Sequence, residues 1–150
     1  MKTREDFYEM IERRKEFLSN RNSDCFGTAL FLVGEKNCYN PETEPEKYLS
    51  KLKKADEPEV GYLIDWEDRN SSAYHLAVVK QKDPLTLMTK NGRIGSFYED
   101  QPFEETDYLY DEMIEDFGIF KERNNFYVPS KLQKILDVEE SKKWEMTDYK

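Results

Sequence analysis

Histidine is almost missing from this 150-residue chain: a single one stands at position 75. Cysteine is nearly as scarce, and Cys25 and Cys38 are too few for a disulfide framework and lack the paired spacing of a structural zinc site. A reducing compartment follows. No His-Glu-x-x-His helix, glycine-rich phosphate loop or Cys-x-x-Cys pair occurs, so no metal and no cofactor is expected. No apolar run approaches the roughly 18 residues of a membrane span, and the N-terminus enters an amphipathic pattern without the apolar core of a signal peptide. The expectation is a cytoplasmic protein that works where it is made. Basic residues number 23 against 32 acidic, and the net charge of −9 repels phosphate backbones and anionic lipid head groups. Neither nucleic acid nor a membrane surface is an expected partner.

What is present is enough apolar and aromatic material, 37% and 14% of the residues, to fold one domain over residues 1–150. Phe7, Met10, Ile11 and Leu18 share one stripe of a first helix over 4–18, acidic early and basic late as the helix dipole prefers. A polar break over 19–24 ends in Ser23 and Asp24, both good N-caps, before the apolar run Cys25 to Val33, which Gly34 stops. Residues 39–58 hold three prolines and read as a loop carrying one short helix around Tyr48, Leu49 and Leu52. Three strands then follow, over 61–66, 73–79 and 85–89, most simply as an antiparallel meander. Beyond Phe103 the residues Tyr108, Tyr110, Met113, Ile114 and Phe117 suggest a helix, and 126–128 a further strand. Pro129 and Ser130 open a last helix with Leu132, Ile135, Leu136 and Val138 on its buried face. The fold class is α+β.

Cys25 falls in the first turn of its helix, where unpaired N–H groups and the macrodipole favour a thiolate. His75 is the one base of the kind a cysteine hydrolase needs. Strand alternation groups it with Ala73, Ala77 and Val79, small side chains that would let the Cys25 helix pack close on that face. If the following turn is centred near Asp83, the antiparallel return sets Thr89, Lys90 or Asn91 opposite His75, depending on register. Asn91 has the best chemistry, because its amide oxygen could accept the imidazole N–H and fix the tautomer. Asp65 on the preceding strand is the reserve. Cys38 could be a surface thiol, a disulfide partner of Cys25 or nothing functional, and the last is favoured.

The order Asp24-Cys25-Phe26-Gly27 at a helix start, Gly61 to Trp66, His75 to Val79 and Leu87 to Gly92 resembles the NlpC-like branch of the papain-like cysteine peptidases. The likeness covers about half the chain, roughly residues 22 to 96. It departs from the family pattern at Phe26, where a small Ser is usual, at Tyr62, where Asp is usual, and at Lys90, near where many members carry His. The resemblance implies a papain-like fold, with the nucleophile helix on an antiparallel sheet and helices at both chain ends. It implies Cys25 as nucleophile, His75 as base and then acid, a third residue from Thr89 to Asn91, and cleavage of a peptide or isopeptide amide. The rival expectation is a catalytically inactive module of the same fold, with the acidic, tyrosine-rich stretch from Tyr98 to Phe117 engaging a basic partner.

Overall fold

The structure is a computed structural model and describes residues 1–18, 23–92, 95–115 and 118–148. Five helices, α1 (Arg4–Lys15), α2 (Cys25–Leu32), α3 (Glu46–Leu49), α4 (Phe103–Glu115) and α5 (Ser130–Asp148), surround one six-stranded sheet. The strands are β1 (Lys53–Ala55), β2 (Leu63–Asp68), β3 (Ala73–Gln81), β4 (Thr86–Lys90), β5 (Phe97–Pro102) and β6 (Lys121–Val128), in the order β1-β6-β2-β3-β4-β5. Every pairing is antiparallel. The fold is therefore α+β, with the expected meander β2–β3–β4 at its centre.

The central strands are buried on both faces, which is why they read as nearly continuous apolar runs. Leu63, Leu76, Val78 and Met88 form one core with Phe7 and Ile11 of α1, Leu30 of α2 and Val33 at its C-cap, Leu49 of α3 and Leu132 and Ile135 of α5. Ile64, Trp66, Ala77, Val79 and Leu87 form the other, covered by Phe103 and Tyr110 of α4. Each fully buried Leu, Val or Ile contributes about 1.5–3 kcal/mol, so the face with the larger aliphatic side chains gathers most of the helices. The Cys25 helix therefore lies on the Leu76 and Val78 face of β3, not on the His75 and Ala77 face that side-chain size suggested. Small residues permit close approach, but bulky ones bury more area, and the latter decides.

Local chemistry explains the elements that place the site. Thr3 caps α1 in a capping box with Asp6, and α1 ends at Lys15, one turn before the expected Leu18. Asp24 caps α2, its carboxylate accepting from the Gly27 N–H at 2.7 Å. At the other end Gly34, at φ +83°, closes a Schellman turn in which Glu35 N–H donates to Leu30 O and Gly34 N–H to Phe31 O. A bulge in the β2–β3 ladder sets Trp66 opposite His75 and Glu67 opposite Ala73, leaving Tyr74 as the extra residue.

Two strands escaped the sequence reading, the short polar β1 and the edge strand β5, whose side chains are mostly exposed. Strand β6 starts at Lys121, well before the expected residue 126. Val138 is exposed on α5, whereas Leu132 and Ile135 are buried as expected. Residues 19–22 of the polar break and Phe117 lie outside the described residues, as do the side chains of Met113 and Ile114.

Candidate active site

Cys25 occupies the first turn of α2 and is 6% exposed. Its thiol meets the backbone N–H of Leu76, the residue immediately after His75, together with the N–H groups of Phe26 and Cys25 itself. That Leu76 N–H is free of the ladder for a geometric reason. Val79 N–H turns toward β2, donating to Tyr62 O, so alternation turns the N–H groups of Leu76 and Val78 toward β4. The β3–β4 pairs run outward from Val78 and Met88, and Leu76 lies beyond them.

His75 is fully buried, and its imidazole projects from the opposite face of the sheet. Nε2 is hydrogen-bonded to Thr89 Oγ1 at 2.8 Å, and Nδ1 has no hydrogen-bond partner. Tyr110 of α4 stacks on the ring at 3.9 Å between centroids and 20° between planes, and Trp66 lies 5.0 Å away on the same face. Cys25 and His75 are thus neighbours through the β3 backbone, with no hydrogen bond between them.

Burial dominates both ionisations. It pushes the thiol up to about 12, helped by the carboxylate of Asp24 and opposed by the three N–H groups. It pushes the imidazole down to about 3. Both groups are therefore held neutral, and burial opposes moving a proton from sulfur to imidazole.

Asn91, the residue expected beside His75, does not bond it. Extending the Val78–Met88 register would set Asn91 opposite His75, but the ladder opens before that point. Thr89, whose side chain already lies on the imidazole face, makes the bond instead. Asn91 reaches Tyr110, whose hydroxyl donates to Asn91 Oδ1 at 3.5 Å. Lys90 turns to the α2 face and donates to Gly92 O and Gly95 O at 2.9 and 2.7 Å. Asp65 also faces the α2 side, accepting from the Asn125 N–H at 2.8 Å and the Tyr127 hydroxyl at 2.9 Å, and does not touch His75.

The residue that sequence reasoning missed is Tyr110. The spacing of Phe103, Asp107 and Tyr110 in the acidic stretch marks one helical stripe, and that stripe is what lies on Trp66 and His75. Both cysteines are free thiols, Cys38 being exposed. No cluster of three metal-ligating side chains occurs among the described residues, and no helix among them is long and apolar enough to cross a membrane. Three surface grooves of about 380, 550 and 410 Å³ open elsewhere, and neither Cys25 nor His75 lines them. The chain matches no protein family, no curated protein and no solved structure.

Proposed function

We propose that the chain is a cysteine hydrolase of papain-like architecture, held in a closed form by α4, which cleaves the amide of a peptide or isopeptide substrate. One observation carries this reading. An imidazole anchored at Nε2 by Thr89 keeps Nδ1 buried and unpartnered, next in the chain to the residue whose N–H meets a helix-tip thiol. A buried polar nitrogen without a partner costs about 1–3 kcal/mol, and that cost is relieved when the site opens and the nitrogen accepts a hydrogen bond. With Nε2–H donating to Thr89, Nδ1 holds the lone pair.

In the open form, which must also bring the imidazole past the open end of the β3–β4 ladder to the thiol, the S–H bond breaks, its proton passes to Nδ1, and sulfur forms a bond to the substrate carbonyl carbon. The developing oxyanion is held by backbone N–H groups at the tip of α2, Cys25 N–H among them. The imidazolium returns the proton to the leaving amine, and water, deprotonated by the same nitrogen, cleaves the thioester. The working location proposed is the cytoplasm, with a peptide or protein as substrate.

A second reading is favoured by the burial itself. With His75 fully covered and Tyr110 stacked on it, the chain could serve as an inactive module that binds through its exposed surface. Iodoacetamide labelling of Cys25 across pH, in a Cys38→Ser background with and without His75→Ala, separates the two. Labelling that persists below the ordinary thiol pKa of ~8.5 and is lost with His75 supports the hydrolase. Slow labelling indifferent to His75 rejects it.

A further inference from the structure

Asp65 is a buried carboxylate with no cation beside it. It is 2% exposed, and the groups that bond it are all neutral: the Asn125 N–H at 2.8 Å, the Asn125 side-chain amide at 3.1 Å and the Tyr127 hydroxyl at 2.9 Å. Among the described residues it takes part in no ion pair. Glu67, two residues along β2, accepts from the same Asn125 amide, which brings a second carboxylate to one donor. Removing a carboxylate from water without a counter-charge is costly, and burial, with the field of Glu67, raises the Asp65 pKa. A proton relieves that cost, and so does a cation supplied from outside the chain. Only the cation needs a space to enter.

The space is there. Asp65 and Tyr127, the latter 5% exposed, line the groove of about 550 Å³ between α3, β1, β2 and β6. Leu49 and Leu52 give it an apolar side, and half-buried Glu67 and exposed Glu46 lead from Asp65 toward solvent. Glu67 uses Oε2 for Asn125 and Glu46 uses Oε1 for the Ala73 N–H, so among the described residues the other oxygen of each carries no hydrogen bond. Oδ2 of Asp65, with one bond, has room for a second. The groove's own cations form no ion pair with these acceptors: Arg123 pairs with Glu122 at 3.7 Å, and the Lys54 ammonium lies 5.9 Å from the centre of the Tyr127 ring. The lining selects the class of ligand. Among the described residues no carboxylate cluster could hold a metal ion, and these three stand beside two leucines and an aromatic ring. An alkyl chain ending in an ammonium matches both halves. Its N–H donors meet carboxylate oxygens, its charge the ring face, and its methylenes the leucines. Lys54 already lays a group of this kind over Tyr127.

We propose that this groove binds a primary alkylammonium group, free as an alkylamine or carried on a lysine side chain, with the ammonium at Asp65 and Glu67 and the alkyl stem against Leu49 and Leu52. Neither Cys25 nor His75 lines the groove, so the binding stands or falls apart from the hydrolase reading. Lys54, exposed and of like charge, competes with the ligand for the Tyr127 ring.

The test is an NMR titration of the ¹⁵N-labelled full chain with n-butylamine and, separately, with Nα-acetyl-lysine methylamide, each at constant ionic strength against sodium chloride. Saturable shifts of the Asn125 side-chain amide and the Tyr127 backbone amide, absent with sodium chloride, are the expected result. Stronger binding of butylamine marks a free amine as the ligand, and stronger binding of the lysine derivative marks a side chain. Asp65→Asn should abolish the saturation. Should that variant fail to fold, Glu67→Gln, at a half-buried position, decides instead and should weaken binding about tenfold. Lys54→Met should tighten it by removing the competing ammonium. No saturation by either amine up to about 50 mM overturns the proposal. So do equal shifts with sodium chloride, and so does binding that Glu67→Gln and Lys54→Met both leave at the wild-type strength.

Discussion

The ring of Tyr110 lies flat on the imidazole of His75, 3.9 Å between centroids and 20° between planes. The helix that delivers it is pinned one turn earlier, where Asp107 accepts from Trp66 Nε1 at 3.0 Å and pairs with Lys121, and two turns earlier, where Phe103 stacks on the Trp66 indole at 5.9 Å. The tyrosine thereby closes the imidazole face of the opening between β3 and β4. On the hydrolase reading proposed above, motion of α4 beyond Asp107 is the least costly way to admit a substrate, since the turns before it carry the stronger fastenings.

Removing that ring should open the site. In Tyr110→Ala the labelling of Cys25 by iodoacetamide should accelerate by about tenfold or more, as local opening becomes easier by ~1.4 kcal/mol per tenfold. The same change should cost about 3–5 kcal/mol of stability from the lost aromatic packing, read by urea denaturation. Unchanged labelling in a folded variant would mean that Tyr110 does not gate the thiol.

Thr89 rather than Asn91 should prove to be the histidine's partner. Thr89→Val keeps the shape and removes the hydroxyl, leaving His75 Nε2 buried without its bond, a loss of about 1–3 kcal/mol. Thr89→Ser should recover much of it, and Asn91→Ala should leave the ¹⁵N resonances of the His75 ring in place. If Asn91→Ala moves those resonances and Thr89→Val does not, the assignment of the third residue is reversed.

The difference between those two residues shows how far the sequence could be read. The capped start of α2, the strand bearing His75 and the meander were legible because caps and β-rich runs are local signals. The face on which α2 packs was not, because Ala73, Ala77 and Val79 and the bulkier Leu76 and Val78 present two plausible faces, and only the summed burial with Leu63 and Met88 selects one. Nor could alternation reveal that the β3–β4 ladder opens past Val78, which is what hands the imidazole to Thr89. Strand β5 has mostly exposed side chains and stays at the edge by pairing with β4, a non-local cause that leaves no apolar pattern.

Gly27 should be irreplaceable for steric reasons. A Cβ at this position would overlap the carbonyl oxygen of Asn40 and the hydroxyl of Ser23, so the loop after α2 could not lie against the helix. Backbone cannot rotate away as a side chain can. Gly27→Ala should therefore destabilise the protein by about 2–4 kcal/mol despite the better helix propensity of alanine, and should loosen Glu42 from Asp24. A thermal midpoint within about 2 °C of wild type would show that the close approach is not needed.

Stability should fall on both sides of neutrality, for opposite reasons. His75 is held far below its ordinary value of 6.5, at about 3, by burial, so between those limits the unfolded chain binds a proton that the folded chain refuses. Its contribution is complete above pH ~6.5 and is lost as the pH falls toward 3, by up to ~1.4 kcal/mol per pH unit. Cys25 is displaced upward, to about 12, so its contribution is complete below the ordinary thiol value and is lost as the pH rises toward 12. Asp65, raised by burial, opposes the acid trend, since its contribution is present at low pH and lost as the carboxyl ionises. The carboxyls of Glu42 and Glu139, held below their ordinary range, act only under pH ~4.5. Between pH 6.5 and 4.5 the fall therefore belongs to the single histidine. Urea midpoints measured across that window should drop in the wild type and stay level or rise slightly toward low pH in His75→Gln, whose amide can still bond Thr89 and which leaves Asp65 to act alone. Equal slopes in the two proteins would show that the imidazole is wetter than its surroundings imply, and that the closed site opens readily without help.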